Sequence, residues 1–259
     1  MYFRPRLIPC LSITNRELVK TTKFKTPKYI GDPINAVRIF NEKGVDELCI
    51  LDIRATIENR EPDFDYLSDI ASEAFVPLSY GGGIKTIEQI KKLFYIGYEK
   101  IIINSSFVNN PTLIKEAVDF AGAQSIVVSI DVKLDFFKNR VSYIKSGTIR
   151  VDEGPIELAK NAEKIGVGEI LLNSINNDGL MQGYDLDLVK QVSESINIPV
   201  IACGGAKDII DAKKVIEEGK AHAAAASSMY IYYGRQKAVL ITAPTEQELI
   251  DIGLYKFEY

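Results

Sequence analysis

Short apolar runs rich in Ile, Val and Leu alternate with amphipathic segments along the chain. The runs are apolar at successive positions, which is typical of parallel strands covered on both faces. The segments between them carry apolar residues at helical spacing, as Ile87, Ile90 and Phe94 do before Gly97. We therefore predict an alternating βα chain with strands at 7–13, 47–53, 76–80, 100–104, 125–131, 169–175, 200–203 and 223–226.

An internal repeat divides the chain into two halves. Residues 76–97 read VPLSYGGGIKTIEQIKKLFYIG and residues 198–219 read IPVIACGGAKDIIDAKKVIEEG, an offset of 122 residues. Eight βα units with this repeat predict an α/β protein, a single (β/α)8 TIM barrel with an internal half-barrel duplication. One domain would cover 1–259, with half-barrels at about 1–122 and 123–259. Two domains would need a central linker, and the candidate segment, 133–150, is better explained as a loop or hairpin over the barrel mouth.

The composition excludes several classes of protein. Apolar residues make up 46% and charged residues 25% of the 259 positions, and the net charge of −4 argues against nucleic acid or an anionic membrane as partner. The chain has no run of 18 apolar residues and no secretory signal, so we expect a cytoplasmic protein. Cys10, Cys49 and Cys203 lie far apart in strand runs, which favours small buried residues over disulfides or metal ligands.

Paired glycines and serines follow the predicted strands. Active sites of this fold lie at the carboxyl ends of the strands, where glycine lets the backbone approach a phosphate and serine hydroxyls donate to it. A glycine pair alone is typical of a turn, but here a serine follows each pair at the same offset, which favours two phosphate sites and a ligand phosphorylated at both ends. The residues are Gly82, Gly83, Asn104 and Ser105 on one side, and Gly204, Gly205, Ser227 and Ser228 on the other.

Candidate acid and base residues stand between these pairs. They are Asp52, Asp131 and Asp178 at strand ends, with Lys20 in the first loop. The alternative for each aspartate is a helix cap or a salt-bridged strand end. The single histidine, His222, precedes the last strand at the opposite face and is expected to be structural. We therefore expect no histidine-based triad, no metal and no cofactor.

Charged residues open four of the strands at the other face of the barrel. Unpaired charges there would be costly, so two cations and two anions are expected to pair in a ring at the barrel axis. The residues are Arg6, Glu47, Lys100 and Glu169. Either a stabilising plug or a gate for a small polar molecule would explain this pattern.

These motifs together resemble the cyclase subunit of imidazole glycerol phosphate synthase, the HisF family, over essentially the whole chain. The matching segments are IPCL at 8–11, GDP at 31–33, DELCILDI at 46–53, GGGI at 81–84, VSID at 128–131, GEILLNSI at 168–175, DGLMQGYD at 178–185 and GGA at 204–206. The resemblance implies a glutaminase (HisH-like) subunit at the barrel bottom, whose ammonia travels through the barrel to a bisphosphate substrate at the top. The substrate would be cleaved and cyclised to imidazole glycerol phosphate and an aminoimidazole carboxamide ribotide.

The resemblance also implies roles for individual residues. Lys20 corresponds to the family's loop-one lysine and Asp131 to its strand-five catalytic aspartate. Arg6, Glu47, Lys100 and Glu169 correspond to the ammonia gate. The two phosphate sites correspond to Gly82, Asn104 and Ser105, and to Asp178, Gly179, Gly204, Gly205 and Ser228.

Three positions depart from the family pattern. Ser12 stands where the strand-one catalytic aspartate follows IPCL, Asn173 replaces the strand-six threonine, and Asn176 replaces the next aspartate. A serine hydroxyl cannot act as a general base near neutral pH without another base beside it. An intact gate with an altered acid–base pair favours a paralogue that works with a sugar amidotransferase in lipopolysaccharide, other surface-polysaccharide or flagellar-glycan synthesis. The alternatives are a working histidine-pathway cyclase and a non-catalytic scaffold.

Overall fold

The computed structural model describes residues 2–234 and 236–257. Over these residues, eight parallel strands pair in chain order and the last pairs with the first, which closes the predicted (β/α)8 barrel. We number the barrel strands β1 (Arg6–Thr14), β2 (Leu48–Asp52), β3 (Leu78–Gly81), β4 (Lys100–Ile103), β5 (Ile126–Leu134), β6 (Glu169–Ser174), β7 (Val200–Cys203) and β8 (Ala223–Ala226).

Helices cover the outside of the barrel, and their ends follow the sequence signals. Asp32 caps the first helix by accepting a hydrogen bond from the Asn35 backbone N–H, with Pro33 at the first helical position. Thr86 and Gln89 form a capping box, and Gly97 ends the same helix in the left-handed conformation. The helices are α1 (Pro33–Glu42), α2 (Phe64–Ser72), α3 (Ile87–Ile96), α4 (Ser105–Asn109), α5 (Pro111–Ala121), α6 (Pro155–Ile165), α7 (Leu186–Ser193), α8 (Ile209–Glu217), α9 (Ser228–Ile231) and α10 (Glu246–Asp251).

Two antiparallel extensions rise over the mouth of the barrel. The first continues β1 through Glu17–Thr22 and Lys25–Gly31, so Lys20 lies in a strand and not in the predicted loop. The reason is a tight turn at Asn15 and Arg16, which both have positive φ, 49° and 63°. The second continues β5 through Arg140–Ile144 and Ile149–Arg150, so segment 133–150 is a hairpin over the mouth.

Shorter elements complete the chain. A 3-10 turn at Ala123–Ser125 leads into β5. Tyr232–Tyr233 pairs with Ala238–Val239 after α9, and Tyr2–Phe3 pairs with Lys256–Phe257. None of the helices in the described part of the chain is both long and apolar enough to cross a membrane.

The barrel interior follows the two-residue period of each strand. In β1, Leu7 and Leu11 face the helices, whereas Ile8 and Cys10 belong to a separate apolar cluster inside the barrel. That inner cluster also contains Cys49, Ile102, Val127, Leu171, Ile201, Cys203, Ala223 and Ala225. The inward positions are therefore charged at the amino ends of the strands, apolar in the middle and polar at the carboxyl ends.

Candidate functional site

One cavity of about 710 Å³ occupies the barrel mouth. It gathers every residue that the sequence places at the carboxyl ends of the strands, from both halves of the repeat. These are Ser12, Lys20, Asp52, Gly82, Gly83, Asn104, Ser105, Asp131, Asn173, Asp178, Gly179, Gly204, Gly205, Ser227 and Ser228. Residues more than 200 positions apart in the sequence therefore line one cavity.

Asp131 is the aspartate best suited to proton transfer. It lies in β5, is buried, and accepts a hydrogen bond from Ser129 Oγ at 3.4 Å. Burial, with a smaller contribution from the charge of Asp178, raises the pKa of Asp131 to about 7. A carboxyl group with this pKa can release or take up a proton near neutral pH, as a general acid or base must.

Asp178 anchors the first extension to the loop after β6. Its Oδ1 accepts from Lys20 Nζ at 3.2 Å, and its Oδ2 accepts from Thr21 Oγ1 at 3.1 Å and from the Phe24 backbone N–H at 3.4 Å. Lys20 is only 6% exposed, so the ion pair keeps its ammonium group inside the cavity wall. Thr21, which the sequence reasoning missed, is part of this anchor.

Asp52 has the structural role that the sequence left as an alternative. Its Oδ1 accepts from the backbone N–H groups of Arg54 and Ala55 at 3.0 and 2.9 Å, and Arg60 NH1 donates to its Oδ2 at 3.1 Å. The carboxylate therefore caps the turn after β2 and pairs with Arg60. It lines the cavity but is poorly suited to bind phosphate, because its own charge would repel the ligand.

The departures from the family pattern all lie at the mouth. Ser12 lies in the inward column of β1 and lines the cavity. Asn173 is buried in β6, and its Oδ1 has no hydrogen-bond partner among the described residues. Asn176 has a structural contact, because its Oδ1 accepts from the Leu134 backbone N–H at 2.7 Å and so holds the base of the second extension.

Two pairs of charged residues close a ring at the opposite end of the barrel. Arg6 donates to Glu47 at 2.6 Å and to Glu169 at 2.5 Å. Lys100 Nζ donates to the same two carboxylates, at 3.1 and 3.0 Å. Each cation contacts both anions, so the four residues that the sequence indicated, which we call the base ring, meet at the barrel axis.

The three cysteines lie inside the barrel, between the base ring and the mouth. All are buried and free, as the sequence predicts, and Cys10 Sγ lies 3.5 Å from Cys49 Sγ. Cys203 lines the mouth cavity, which the sequence reasoning did not indicate. A hydrogen bond to Cys10 and burial raise the pKa of the Cys203 thiol well above its ordinary value, so it is protonated and a weak nucleophile.

Two further observations concern the histidine and the arrangement of side chains that could hold a metal ion. His222 is at the base of the barrel, where its Nδ1 accepts a hydrogen bond from the Val200 backbone N–H at 3.2 Å, so its contact is structural. Within residues 2–234 and 236–257, no group of three or more His, Cys, Asp or Glu side chains is arranged to hold a metal ion.

Comparison with known proteins identifies the family. The family model described as "Histidine biosynthesis protein" matches residues 6–235. A Pseudomonas aeruginosa protein, provisionally named imidazole glycerol phosphate synthase subunit hisF2, is 46% identical over 250 residues, 96% of this chain and 99% of its own length. A Leptospira interrogans protein, provisionally named subunit HisF of the same synthase, is 44% identical over 246 residues, 95% of this chain and 97% of its own. The HisF subunit from Alkaliphilus metalliredigens is 38% identical over 227 residues, 88% of this chain and 90% of its own. The chain therefore belongs to the HisF family of imidazole glycerol phosphate synthase subunits.

Proposed function

We propose that this barrel receives ammonia from a glutaminase subunit at its base and supplies it to a phosphorylated acceptor at its mouth. The base ring carries this proposal. Glu47 and Glu169 are buried, whereas the Arg6 and Lys100 side chains are partly exposed. Burying these carboxylates has a desolvation cost, and apolar side chains would fill the same space without it. Charges at all four positions are better explained by a passage for a small polar molecule than by a packing plug.

Exposed aromatic residues at the base support a docked subunit. Phe75 precedes β3 and Tyr95 lies near the end of α3, and they are 88% and 92% exposed. Phe120, near the end of α5, is also exposed and contacts Phe94 with 6.2 Å between ring centroids. All lie at the amino ends of the strands, on the same face as the base ring. Aromatic side chains are enriched in protein interfaces.

The side chains at the mouth bear on which molecule accepts the ammonia. Asp131 is placed and tuned for proton transfer, but Ser12 supplies no second carboxylate. Cyclisation that needs two carboxyl groups would therefore be slow, whereas ammonia could still be delivered. This favours amidation of a surface sugar, in company with a sugar amidotransferase, over histidine biosynthesis. The second candidate remains a working cyclase that forms imidazole glycerol phosphate and aminoimidazole carboxamide ribotide.

A third candidate belongs to another class of protein. A non-catalytic scaffold would keep the barrel for binding alone, with the base ring as a structural plug. The residues at the mouth argue against a scaffold. Asp131 is a buried carboxyl group with a pKa of about 7, and the buried hydroxyl groups of Ser227 and Ser228 have no partner among the described residues. Such groups reduce stability and are typical of functional sites.

Pull-down of the full chain from its native cell, followed by a glutaminase assay, tests the proposal. We expect a glutamine amidotransferase to copurify in a one-to-one complex and its glutaminase activity to rise when the barrel is present. Lys100→Ala should reduce the stimulation, because it opens the base ring. Lys190→Ala, which removes an exposed i,i+4 pair with Glu194, is the control and should leave it unchanged. If no glutaminase is recovered and Lys100→Ala alters only thermal stability, the base ring is a plug.

A further inference from the structure

The two extensions over the mouth carry a charge opposite to that of the rest of the chain. Segments 15–31 and 133–150 contain ten Lys and Arg residues but only two Asp and Glu residues. The whole chain contains 31 and 35, so the other positions hold 21 cations and 33 anions. The extensions therefore have a net charge of +8 and the remainder a net charge of −12, which together give the −4 of the chain. The net charge of the chain conceals a basic surface at the mouth.

Most of these basic side chains lie outside the mouth cavity. Ion pairs hold Arg16, Lys20 and Arg140 to carboxylates. Six further cations are exposed and belong to no ion pair among the described residues: Lys23, Lys25, Lys28, Lys133, Lys138 and Arg150. None of the six lines the cavity, so they are not placed to contact a ligand inside it.

Exposed aromatic side chains accompany these cations. Phe136 and Phe137 occupy the tip of the second extension and are 94% and 80% exposed. Their rings contact each other edge to face, with 5.5 Å between centroids. Tyr29, in the first extension, is 60% exposed. Two almost fully exposed phenylalanines contribute nothing to the packing of the barrel, and such patches are typical of interaction surfaces. Together with the six exposed cations, these three aromatic residues form what we call the rim surface.

The tip of the second extension is a well-defined turn that holds both rings outward. The Asp135 backbone N–H donates to the Asn139 carbonyl oxygen at 2.9 Å, and the Lys138 backbone N–H donates to the Asp135 carbonyl oxygen at 3.1 Å. Asp135 Oδ1 also accepts from the Asn139 backbone N–H at 2.8 Å. Because the turn is already ordered, a partner that binds the two rings loses little conformational entropy.

The two extensions form one continuous surface. A Cβ at Gly147, in the turn of the second extension, would lie 3.2 Å from the ring of Phe24 in the first, so the extensions meet over the mouth. The short strand pair after α9, beyond the carboxyl end of β8, adds Tyr233, Val239 and Leu240, which are 64%, 50% and 50% exposed. The apolar surface beside the mouth is therefore larger than the tip of one hairpin.

We infer that the rim surface docks the enzyme that consumes the ammonia, through an acidic protein surface with an apolar pocket for Phe136 and Phe137. This inference rests on the proposed function and adds the place and the chemistry of the partner. Ammonia that leaves an open mouth is protonated by water near neutral pH and loses its nucleophilic lone pair, so delivery requires a covered exit. The rim surface lies beside that exit.

An anionic membrane is the competing partner, because it also attracts cations and aromatic rings. A bilayer over the mouth would close the cavity without supplying an acceptor. A docked enzyme would close it and also hold the acceptor between the two proteins. The position of the rim surface around a cavity therefore favours a protein.

Zero-length carbodiimide cross-linking of the full chain in an extract of its native cell tests the inference. The reagent joins lysine amines to carboxylates that contact them, so the linked peptides identify the partner and the contact. We expect links from Lys23, Lys25, Lys28 or Lys138 to acidic residues of one protein other than the glutaminase. That protein, purified and combined with the barrel, the glutaminase and the cell's small-molecule extract, should form a product labelled from glutamine that carries heavy nitrogen in its amide.

Variants then test the two parts of the rim surface. Phe136→Ser combined with Phe137→Ser should weaken binding of the linked protein by roughly tenfold or more, because two aromatic anchors are lost. Lys138→Glu, or about 0.5 M NaCl, should weaken it by about tenfold, because the partner's surface is acidic. Tyr95→Ser is the matched control, since Tyr95 is an equally exposed aromatic residue at the base, and this binding should be unchanged. The double variant should melt and stimulate the glutaminase as the wild type does.

Several results would overturn the docking inference. They are links only to a second copy of this chain, links only to the glutaminase, no link to any protein, and equal binding by the wild type and the double variant. Binding to vesicles that contain phosphatidylglycerol, lost in the double variant and without a protein link, would make a membrane the partner instead. Recovery of a stimulated glutaminase in these cases would leave the proposed function standing. Its absence would overturn the proposed function, and this inference with it.

Discussion

Replacing Asp131 with asparagine should stabilise the protein, and the gain should depend on pH. In the folded chain the pKa of Asp131 is about 7, because the carboxyl group is buried, whereas the ordinary value is 3.8. Between these two values the folded chain keeps a proton that the unfolded chain has released. The contribution of Asp131 to the free energy of unfolding therefore falls as pH rises from about 4 to about 7, and it is constant above that.

The size of the effect follows from the same two values. A rise from 3.8 to about 7 corresponds to about 4 kcal/mol of lost stability once the group is ionised, at 1.36 kcal/mol for each pKa unit. Water entry and local rearrangement around an ionised carboxylate reduce this figure, so we expect about 2 to 4 kcal/mol. The asparagine side chain of the variant has nearly the shape of the protonated acid and carries no charge at any pH. The variant and the wild type should therefore be similarly stable near pH 4 and diverge as pH rises.

Chemical denaturation at pH 5, 6, 7 and 8 measures the difference. The chain has no tryptophan, so far-ultraviolet circular dichroism is the appropriate signal, and the midpoint multiplied by the slope gives the free energy of unfolding. Asp135→Asn is the control. Asp135 is partly exposed, and the hydrogen bond that it accepts from the Asn139 backbone N–H lowers its pKa, so this variant should lose stability at neutral pH. An Asp131→Asn gain that is equal at pH 5 and pH 8 would refute the reasoning.

Two further changes test the mouth and the loop that supports it. With the cyclase substrate and ammonium salt supplied directly, the wild type should turn over about 10²- to 10⁴-fold more slowly than a family member with both aspartates, and Ser12→Asp should recover part of that rate. Robust wild-type cyclisation would contradict this. Gly205→Ala should cost several kcal/mol, because its Cβ would overlap the Gly183 carbonyl oxygen, whereas Gly97→Ala, with a similar φ of 118° but open space, should cost only about 1–2 kcal/mol. Equal losses of unfolding free energy for the two glycine variants would show that backbone conformation alone matters.

The barrel strands and the contents of the mouth could be predicted because their signals are local. The observed β7 and β8 have the predicted bounds, 200–203 and 223–226, since each is a short apolar run that begins and ends at turn residues. β3 begins at Leu78, two residues later than predicted, because Pro77 has no N–H for the ladder; its carbonyl oxygen instead accepts from Leu48. The first extension was missed because the turn at Asn15 and Arg16 has no glycine to mark it.

The roles of the polar residues depended on partners that the sequence does not place together. Asp178 and Lys20 are 158 positions apart, and Ser105 and Lys145 are 40 apart. Only the folded barrel shows that Asp178 anchors an extension while Asp131 remains available for proton transfer. The same holds for the two serine pairs, which are equivalent in the repeat but have different hydrogen-bond partners. A sequence repeat thus predicts equivalent positions, whereas contacts from outside the repeat decide which of them stay free.

The length of β1 explains how a residue at the mouth can differ from the family pattern while the base ring keeps it. Arg6 and Ser12 belong to the same inward column, but six residues of strand separate them, about 20 Å. Arg6 contacts Glu47 and Glu169, and the apolar cluster around Ile8 and Cys10 fills the space above. Groups this far apart with no shared partner contribute independently to stability. A serine at position 12 can therefore alter the acid–base chemistry of the mouth without disturbing the base ring, which is the combination that the proposed function requires.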